Sequence, residues 1–354
     1  MQRRSDCSSW LPALLDSGQA GDLKPLPVEP GTVRGAATLL DLHVDVNWRD
    51  SEGRTPLMMA AWAGHPDVVR LLLDGFASLD LQDNTGYTAL MRAAWKGNTH
   101  VLALLLTSGA ALEVRDRDGC TALLLAARNR CTSAVKMLLQ SGANVNAQDN
   151  RGYSALILAA WYGDAALMDL LLDHDAEAAL KDAEGFTPLM RAARNCYWPG
   201  VAMLLGRCCY SESRDPDGRT ALMDAADDGA AAIARELLDR KADANAQDRF
   251  GNSPLLLAVS GGHVGACRLL LDHGADPCVG NKFGSTPLLL AVAGCRNELA
   301  RLLLERGADF TVQDQSGHTP LQIAVSQRAY GLIATLAEFG ASRRSGGREA
   351  PRHS

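Results

Sequence analysis

TALMRAAWKGN, residues 88–98, places a large aromatic side chain in a stretch whose small and apolar residues are typical of a closely packed helix. Leu90 and the alanines after it suit the buried side of a helix, whereas Trp95 interrupts that side. The same pattern recurs as TPLMMAAWAGH at residues 55–65 and as SALILAAWYGD at residues 154–164. The tryptophan therefore belongs to a repeated unit, and its purpose depends on what that unit is.

The unit recurs every 33 residues. An aspartate opens each unit, except that Asn281 takes its place once, and a glycine follows three residues later where a tight turn requires a positive φ. Two residues after the glycine comes Thr or Ser, which can accept a hydrogen bond from a free N–H of the following helix. The nine units begin at residues 50, 83, 116, 149, 182, 215, 248, 281 and 314.

Each unit then has the pattern of two short helices. In five units a proline follows the capping hydroxyl, at the first helical position, where its missing N–H does no harm. In the first helix, a leucine and an alanine three residues later give a face of small side chains that permits close helix packing. A second helix follows, and leucines such as Leu104–Leu106 form its buried stripe. The repeat therefore predicts stacked helical hairpins.

This D-x-x-G-x-T-P-L-x-x-A-A pattern resembles the ankyrin repeat, from Asp50 to about Arg343. The resemblance implies an all-α, ankyrin-repeat solenoid of stacked helix-turn-helix units with short β-turn or hairpin connections. The family's usual histidine after T-P-L is replaced by apolar residues such as Met91 and Leu124. A polar link between repeats is thus exchanged for apolar packing.

The predicted organisation has four parts. Residues 1–10 form a disordered N-terminus, and residues 11–49 a degenerate capping repeat with a Pro/Gly-rich insertion. Residues 50–342 hold the nine ankyrin repeats, and residues 343–354 form a basic disordered tail.

Four repeats lack the glycine expected after the second helix, and have Phe76, Asp175, Cys208 or Lys241 there. A left-handed conformation at such a residue costs about 1–2 kcal/mol. Because three of these substitutions fall between residues 149 and 247, the middle of the repeat array is expected to be its loosest part.

Composition limits the partners and the compartment. The formal charge is −6, from 35 basic and 41 acidic residues, which disfavours nucleic acid as a partner. Nine cysteines without a CxxC pair indicate a reducing compartment. The N-terminal apolar stretch is too short for a signal sequence, and no apolar run approaches the roughly 18 residues that span a bilayer. We expect a cytoplasmic or nuclear monomer without membrane insertion.

Signatures of enzymes and metal sites are absent from the sequence. There is no GxxxxGK[ST], HExxH, GxSxG or strand-preceded GxGxxG, so we predict no catalytic residue and no cofactor. The vicinal pair Cys208–Cys209 and the nearby Cys196 lack the spaced tetrad of a zinc site, and we interpret them as small helix-end residues. His263 and Cys267 are assigned to surface and core, so no metal is predicted.

One position of the repeat forms a stripe of large side chains. Trp62, Trp95 and Trp161 occupy the place just after the alanine pair, and Arg128, Arg194 and Asp227 occupy it in three further units. In proteins that this sequence resembles, this position and the turn tips lie on the concave face that binds partners. The predicted partner-binding residues are Trp62, Tyr87, Arg92, Trp95, Arg128, Tyr153, Trp161, Tyr162, Phe186, Arg191, Arg194, Asp224, Asp227 and Asp228.

Two interpretations of the stripe remain open. The rings and arginines could stack on one another, as a cation–π ladder of Trp95, Arg128 and Trp161 worth about 0.5–1 kcal/mol per contact. Alternatively they form a binding surface, because aromatic residues and arginine dominate binding hot spots. Asp227 and Asp228, near a helix C-terminus where negative charge is unfavourable, are either a solvated face or a pocket for a basic residue.

The predicted function is protein–protein binding, as an adaptor or scaffold. The groove would be aromatic and basic in the first five repeats and acidic in the sixth. Its partner would be an extended or helical segment with apolar and acidic residues and a basic residue toward one end. Inhibition of a kinase or transcription factor by surface occlusion is the alternative, and an enzyme is a distant third.

Overall fold

A computed structural model describes residues 45–207 and 212–346, with side chains to residue 341. The predicted N-terminal segment, most of the predicted capping repeat, Cys208 and residues 347–354 lie outside the described residues. The chain divides into two compact units, unit 1 (Met1–Glu177) and unit 2 (Ala178–Ser354).

The described part of unit 1 consists of consecutive helix pairs, each with a first and a second helix. The pairs are α1 (Pro56–Ala63) with α2 (Pro66–Asp74), α3 (Ala89–Lys96) with α4 (Thr99–Thr107), α5 (Ala122–Arg128) with α6 (Thr132–Gln140), and α7 (Ala155–Tyr162) with α8 (Ala165–Asp173).

Unit 2 continues the same alternation in its described part. The pairs are α9 (Pro188–Arg194) with α10 (Trp198–Arg207), α11 (Ala221–Asp227) with α12 (Ala231–Asp239), α13 (Pro254–Gly261) with α14 (Val264–Asp272), α15 (Pro287–Ala293) with α16 (Asn297–Glu305), and α17 (Pro320–Ser326) with α18 (Tyr330–Gly346).

Helices of like kind stack within each unit. The first helix of one pair packs on the first helix of the next, as α3 does on α5, and second helices pack in the same way, as α4 does on α6. Ala93 and Ala94 are fully buried in the stack of first helices, which explains why small residues are needed there. The predicted all-α helical-repeat solenoid is confirmed for the described residues of each unit.

Every first helix begins at the predicted capping hydroxyl. Thr88 is typical, because its Oγ1 accepts a hydrogen bond from the Met91 N–H at 3.2 Å. Such a cap stabilises a helix by about 1 kcal/mol. The same bond occurs at Thr55, Thr121, Ser154, Thr187, Thr220, Ser253, Thr286 and Thr319.

The aspartate that opens each repeat organises the turn before the helix. Asp83 Oδ1 accepts hydrogen bonds from the backbone N–H groups of Thr85 at 2.8 Å and Tyr87 at 3.0 Å. Gly86 has φ 88°, and a Cβ there would lie 2.9 Å from the Asp116 Cα of the next repeat. Glycine is therefore required both by its backbone conformation and by the close approach of the neighbouring turn.

Left-handed residues other than glycine are more widespread than the sequence indicated. Phe76, Asp175 and Lys241 have φ between 59° and 68°, as expected at the end of the second helix. A second set follows the first helix, where other repeats have glycines such as Gly97. This set comprises Arg130, Cys196, Cys295 and Arg328. The earlier opening of residues 149–247 stays a prediction. In the repeats starting at 83 and 248, all left-handed residues are glycine. By the same reasoning, these two repeats should open last.

Replacing Lys241 by glycine is expected to stabilise the chain by about 1 kcal/mol, because Lys241 has φ 68° and glycine adopts this conformation without strain. Urea unfolding of the intact chain measures the change. Arg235→Gly is the matched control, since Arg235 is exposed inside helix α12 of the same repeat and glycine there should cost about 1 kcal/mol. Two variants shifting in the same direction would contradict the assignment of strain to Lys241.

The last helix departs from the prediction. Helix α18 continues to Gly346, so residues 343–346 are helical rather than part of a disordered tail. Gly340, expected to end this helix, lies inside it and has no positive φ. The physical reason is that the Asp-x-x-Gly turn, which redirects the chain after the second helix of earlier repeats, does not follow Gly340.

Candidate functional site

The three stripe tryptophans lie in the last turns of first helices in unit 1 and differ in exposure. The Trp161 side chain is exposed, with 39% of its surface accessible, whereas Trp62 and Trp95 are half-buried. The stripe is therefore not the uniform row of exposed rings that the sequence suggested.

Aromatic residues of the turns contact these tryptophans within single repeats. The ring centroids of Tyr87 and Trp95 are 6.1 Å apart, and those of Tyr153 and Trp161 are 5.4 Å apart in an edge arrangement. Such pairs contribute about 0.5–1.5 kcal/mol beyond their buried area. Burial also raises the pKa of Tyr87 to about 12, so its hydroxyl stays protonated at neutral pH. The tyrosines thus position the tryptophans.

Arg92 is engaged by its own repeat and by Trp62 of the preceding one, and is not the free contact residue expected. Its Nη2 forms an ion pair with the Asp83 carboxylate, and its guanidinium lies 5.4 Å from the Trp62 ring centroid and 5.3 Å from that of Tyr87. Burial raises the pKa of Asp83, but hydrogen bonds from Thr85, Arg92 and the backbone outweigh it and leave that pKa below its usual value. The two cation–π contacts of Arg92 are of the kind that the self-stacking interpretation of the stripe predicts.

Arg128 is also held by its neighbours. Its Nη2 lies 2.9 Å from Asp149 Oδ2 and 3.3 Å from the Cys120 sulfur. Burial raises the pKa of the Cys120 thiol to about 12, so this sulfur is a neutral neighbour of the guanidinium. Arg128 is therefore a structural residue with a partly exposed edge, and only that edge is available to a partner.

A cavity of about 290 Å³ in unit 1 brings four predicted residues together. They are Arg128, Tyr153, Trp161 and Tyr162. The sequence analysis did not predict the other residues of the lining. Two of them, Asp118 and Arg151, lie at turn tips, two residues after the start of a repeat. These additional residues are Asp118, Asp149, Asn150, Arg151 and Leu158.

The charge of this cavity corrects the prediction of a basic surface. Two arginines and two aspartates line it, so their formal charges cancel. Arg128 is paired with Asp149, which leaves the exposed Arg151 as the cation available to a ligand. The site is aromatic, with one cation and one carboxylate, Asp118, at its rim.

In unit 2, Phe186 and Arg191 are buried and not exposed as predicted. The Arg191 side chain is 7% exposed and forms ion pairs with Asp182 at 2.6 Å and Glu184 at 2.9 Å. Its guanidinium lies 4.3 Å from the Phe186 ring centroid, and that of the exposed Arg194 lies 5.0 Å from it. Of the two predicted arginines, only Arg194 is open to a partner.

Asp224 is likewise buried, at 3% exposure. Its Oδ1 accepts a hydrogen bond from Arg219 Nε at 3.0 Å, and Arg219 Nη2 donates to Asp227 Oδ2 at 2.9 Å. Burial raises the pKa of Asp224 above its usual value, although Arg219 and Arg194 act to lower it. Arg219, which the sequence interpretation missed, thus offsets part of the negative charge of Asp224 and Asp227.

A second cavity, of about 770 Å³, opens in unit 2 and is strongly acidic. Its lining holds six carboxylates and two guanidinium groups. The predicted residues in it are Phe186, Arg194, Asp224, Asp227 and Asp228, and the others are Glu184, Asn195, Asp215, Pro216, Asp217 and Arg219. We call it the acidic cavity.

Comparison with protein families accounts for both units. A family model described as ankyrin repeats (3 copies) matches overlapping segments at residues 31–116, 76–149, 104–182, 123–210, 189–281 and 278–345. The chain belongs to the ankyrin repeat family. Ankyrin repeats are generally protein–protein interaction modules, and both cavities are formed by their first helices and turns.

The described residues include neither a membrane-spanning helix nor a cluster of metal ligands. No helix in this part of the chain has the length and apolar content to cross a bilayer. No group of three or more His, Cys, Asp and Glu is placed there to hold a metal ion.

The described cysteines should react with a maleimide in an order set by burial. Cys120 and Cys267 are buried, and burial raises the pKa of each thiol to about 12, so they should label slowest in the folded chain. Cys278 and Cys295 are exposed and should label first. Mass spectrometry of tryptic peptides measures the order. Rapid labelling of Cys120 without unfolding would contradict the structural role assigned to it.

Proposed function

We propose that this ankyrin repeat protein is a non-enzymatic adaptor or scaffold that binds a segment of a partner protein along the first helices and turn tips of unit 1. The observation that carries the proposal is the cavity in which Arg128, Tyr153, Trp161 and Tyr162 meet. Three aromatic residues and an arginine in one concavity are the composition of a binding hot spot.

The cavity's chemistry defines the partner segment. Trp161 and Tyr162 offer exposed ring surface to an apolar side chain, and Arg151 offers a cation to one acidic group. Because Arg128 is already ion-paired with Asp149, a highly acidic segment would find few cations in the lining of this cavity. The proposed ligand is therefore chiefly apolar, with a single carboxylate beside the apolar anchor.

Affinity capture from a cell lysate tests this function. Proteins retained by the intact chain should be lost from the Trp161→Ala/Tyr162→Ala variant and kept by Trp198→Ala. Trp198 is a suitable control because it is 48% exposed and lines neither cavity. Equal retention by all three proteins would reject the site.

A second measurement separates the two forms of the function. A scaffold binds two captured partners at once, whereas an inhibitor of a kinase or transcription factor binds one and lowers its activity. Sequential capture, with one partner immobilised and the second added after the ankyrin chain, distinguishes them. Ternary complexes support the scaffold, and loss of the first partner's activity without a ternary complex supports inhibition.

A further inference from the structure

Six carboxylates line the acidic cavity of unit 2, against two guanidinium groups, Arg194 and Arg219, and Glu184 is ion-paired with Arg191 outside the lining. Arg219 bridges Asp224 and Asp227, and Asp217 forms an ion pair with Arg249 at 2.7 Å. Asp228 is exposed and has no ion pair with any described residue. The Asp228 carboxylate thus lines the cavity without a cation of its own, next to Asp224 and Asp227, which share the Arg219 guanidinium.

The position of these carboxylates is unfavourable for the isolated chain. Asp227 is the last residue of helix α11 and Asp228 is its C-cap, where the partial negative charge of the helix end disfavours anions. Lysine or arginine would be stabilising at this place, and Arg128 and Arg194 end the equivalent helices α5 and α9. A cation supplied from outside would remove the repulsion.

A buried atom gives a second, independent indication. Asp224 Oδ2 is inaccessible to solvent and has no hydrogen-bond partner among the described residues, although Oδ1 is bonded to Arg219. An unsatisfied buried carboxylate oxygen is costly. Asp224 lines the cavity, so a cation bound there would act on this carboxylate through its charge, although it could not contact the inaccessible Oδ2.

We propose that the acidic cavity binds the guanidinium group of an arginine side chain in the partner segment, with Asp227 and Asp228 as its main ligands. This inference rests on the proposed function, because it assumes that the chain binds a protein segment. Arg219 illustrates the mode, since one planar guanidinium there contacts two carboxylates. Arginine fits such a pair better than lysine because its donors form a rigid fork and it is more weakly hydrated.

Titration with a small probe tests the site without any partner. The intact ¹⁵N-labelled chain is titrated with N-acetyl-arginine amide at pH 7 and low salt, and backbone amide shifts are followed by NMR. We expect saturable shifts at Asp228 and Gly229. The neutral citrulline analogue should cause none, and the lysine analogue weaker ones.

Substitutions assign the response to the cavity. Asp228→Asn should weaken probe binding about twofold to fivefold, the range for one exposed ion pair, and Asp228→Arg should abolish it. Asp228 is exposed, so both variants should fold, which circular dichroism checks. Glu305→Gln is the matched control, because Glu305 is also an exposed carboxylate at the C-terminal end of a helix, and it should leave binding unchanged.

Each contrary outcome has a defined meaning. Equal shifts with the citrulline analogue, equal binding of the lysine analogue, or no response at Asp228 and Gly229 would overturn the proposal. These outcomes leave the Trp161-dependent capture of a partner untouched, so they would reject the arginine site alone. Probe binding together with failed capture would instead reject the proposed function of unit 1.

Discussion

Replacing Arg191 by alanine is expected to lower the free energy of unfolding of its repeat by about 3 kcal/mol. The Asp182 side chain, 1% exposed, would lose its ion pair and remain as a buried charge. The same carboxylate accepts the backbone N–H groups of Glu184 and Phe186, so the turn before helix α9 would be disturbed as well. Hydrogen exchange of residues 182–194 in the intact chain measures the local loss.

Arg194→Ala is the matched control for this prediction. Arg194 lies three residues further along the same helix and also contacts the Phe186 ring, but it is exposed. Its removal should change stability by no more than about 1 kcal/mol. Equal losses for the two variants would show that the buried ion pair with Asp182 does not stabilise the repeat.

Replacing Trp161 by alanine is expected to weaken partner binding by at least about 2 kcal/mol, roughly 30-fold. The ring is exposed and lines the cavity of unit 1, so a partner would bury it on binding. The fold should be affected less, by about 1 kcal/mol, because the ring's contact with Tyr153 is lost. Calorimetric titration with a captured partner measures the affinity, and urea unfolding measures the stability.

Trp198→Ala controls for the loss of an exposed tryptophan in general. It should leave the partner affinity within about twofold of the parent, as expected for a residue outside the interface. A Trp161 variant that loses as much stability as affinity would mean that this ring is a structural residue.

The repeat and its turns could be predicted because each of their features depends on chemistry at fixed local spacing. Thr88 caps its helix through an N–H three residues away, and Gly86 satisfies a turn three residues after Asp83. Both follow from local sequence, whereas the close approach of the next repeat to Gly86 does not. The second set of left-handed residues was missed although glycines such as Gly97 mark the position in other repeats.

The pairing of charges was harder to predict. Arg92 with Asp83 and Arg191 with Asp182 are nine residues apart, and Arg128 pairs with an aspartate that opens the next repeat. The paired side chains come close in space only after the turn has folded back on the helix. The two equal nine-residue spacings were nevertheless visible in the sequence.

Burial explains the remaining differences at the site. Phe186 and Asp224 were assigned to an exposed surface because their sequence positions lie beside the stripe. Arg191 covers the first, and Arg219 pairs with the second. Arg219 stands directly before its helix cap, where other repeats have Tyr87 or Tyr153, and nothing in that pattern indicated a salt-bridge partner.

The affinity of a captured partner for the Trp95→Ala/Trp161→Ala double variant tests the central claim most directly. Binding through the aromatic surface of unit 1 predicts a loss of at least about 30-fold, with Trp198→Ala unchanged and with the helix content of the double variant retained. A partner that binds the double variant as tightly as the parent would show that the rings only stack on their own turns, and that recognition lies elsewhere on the chain.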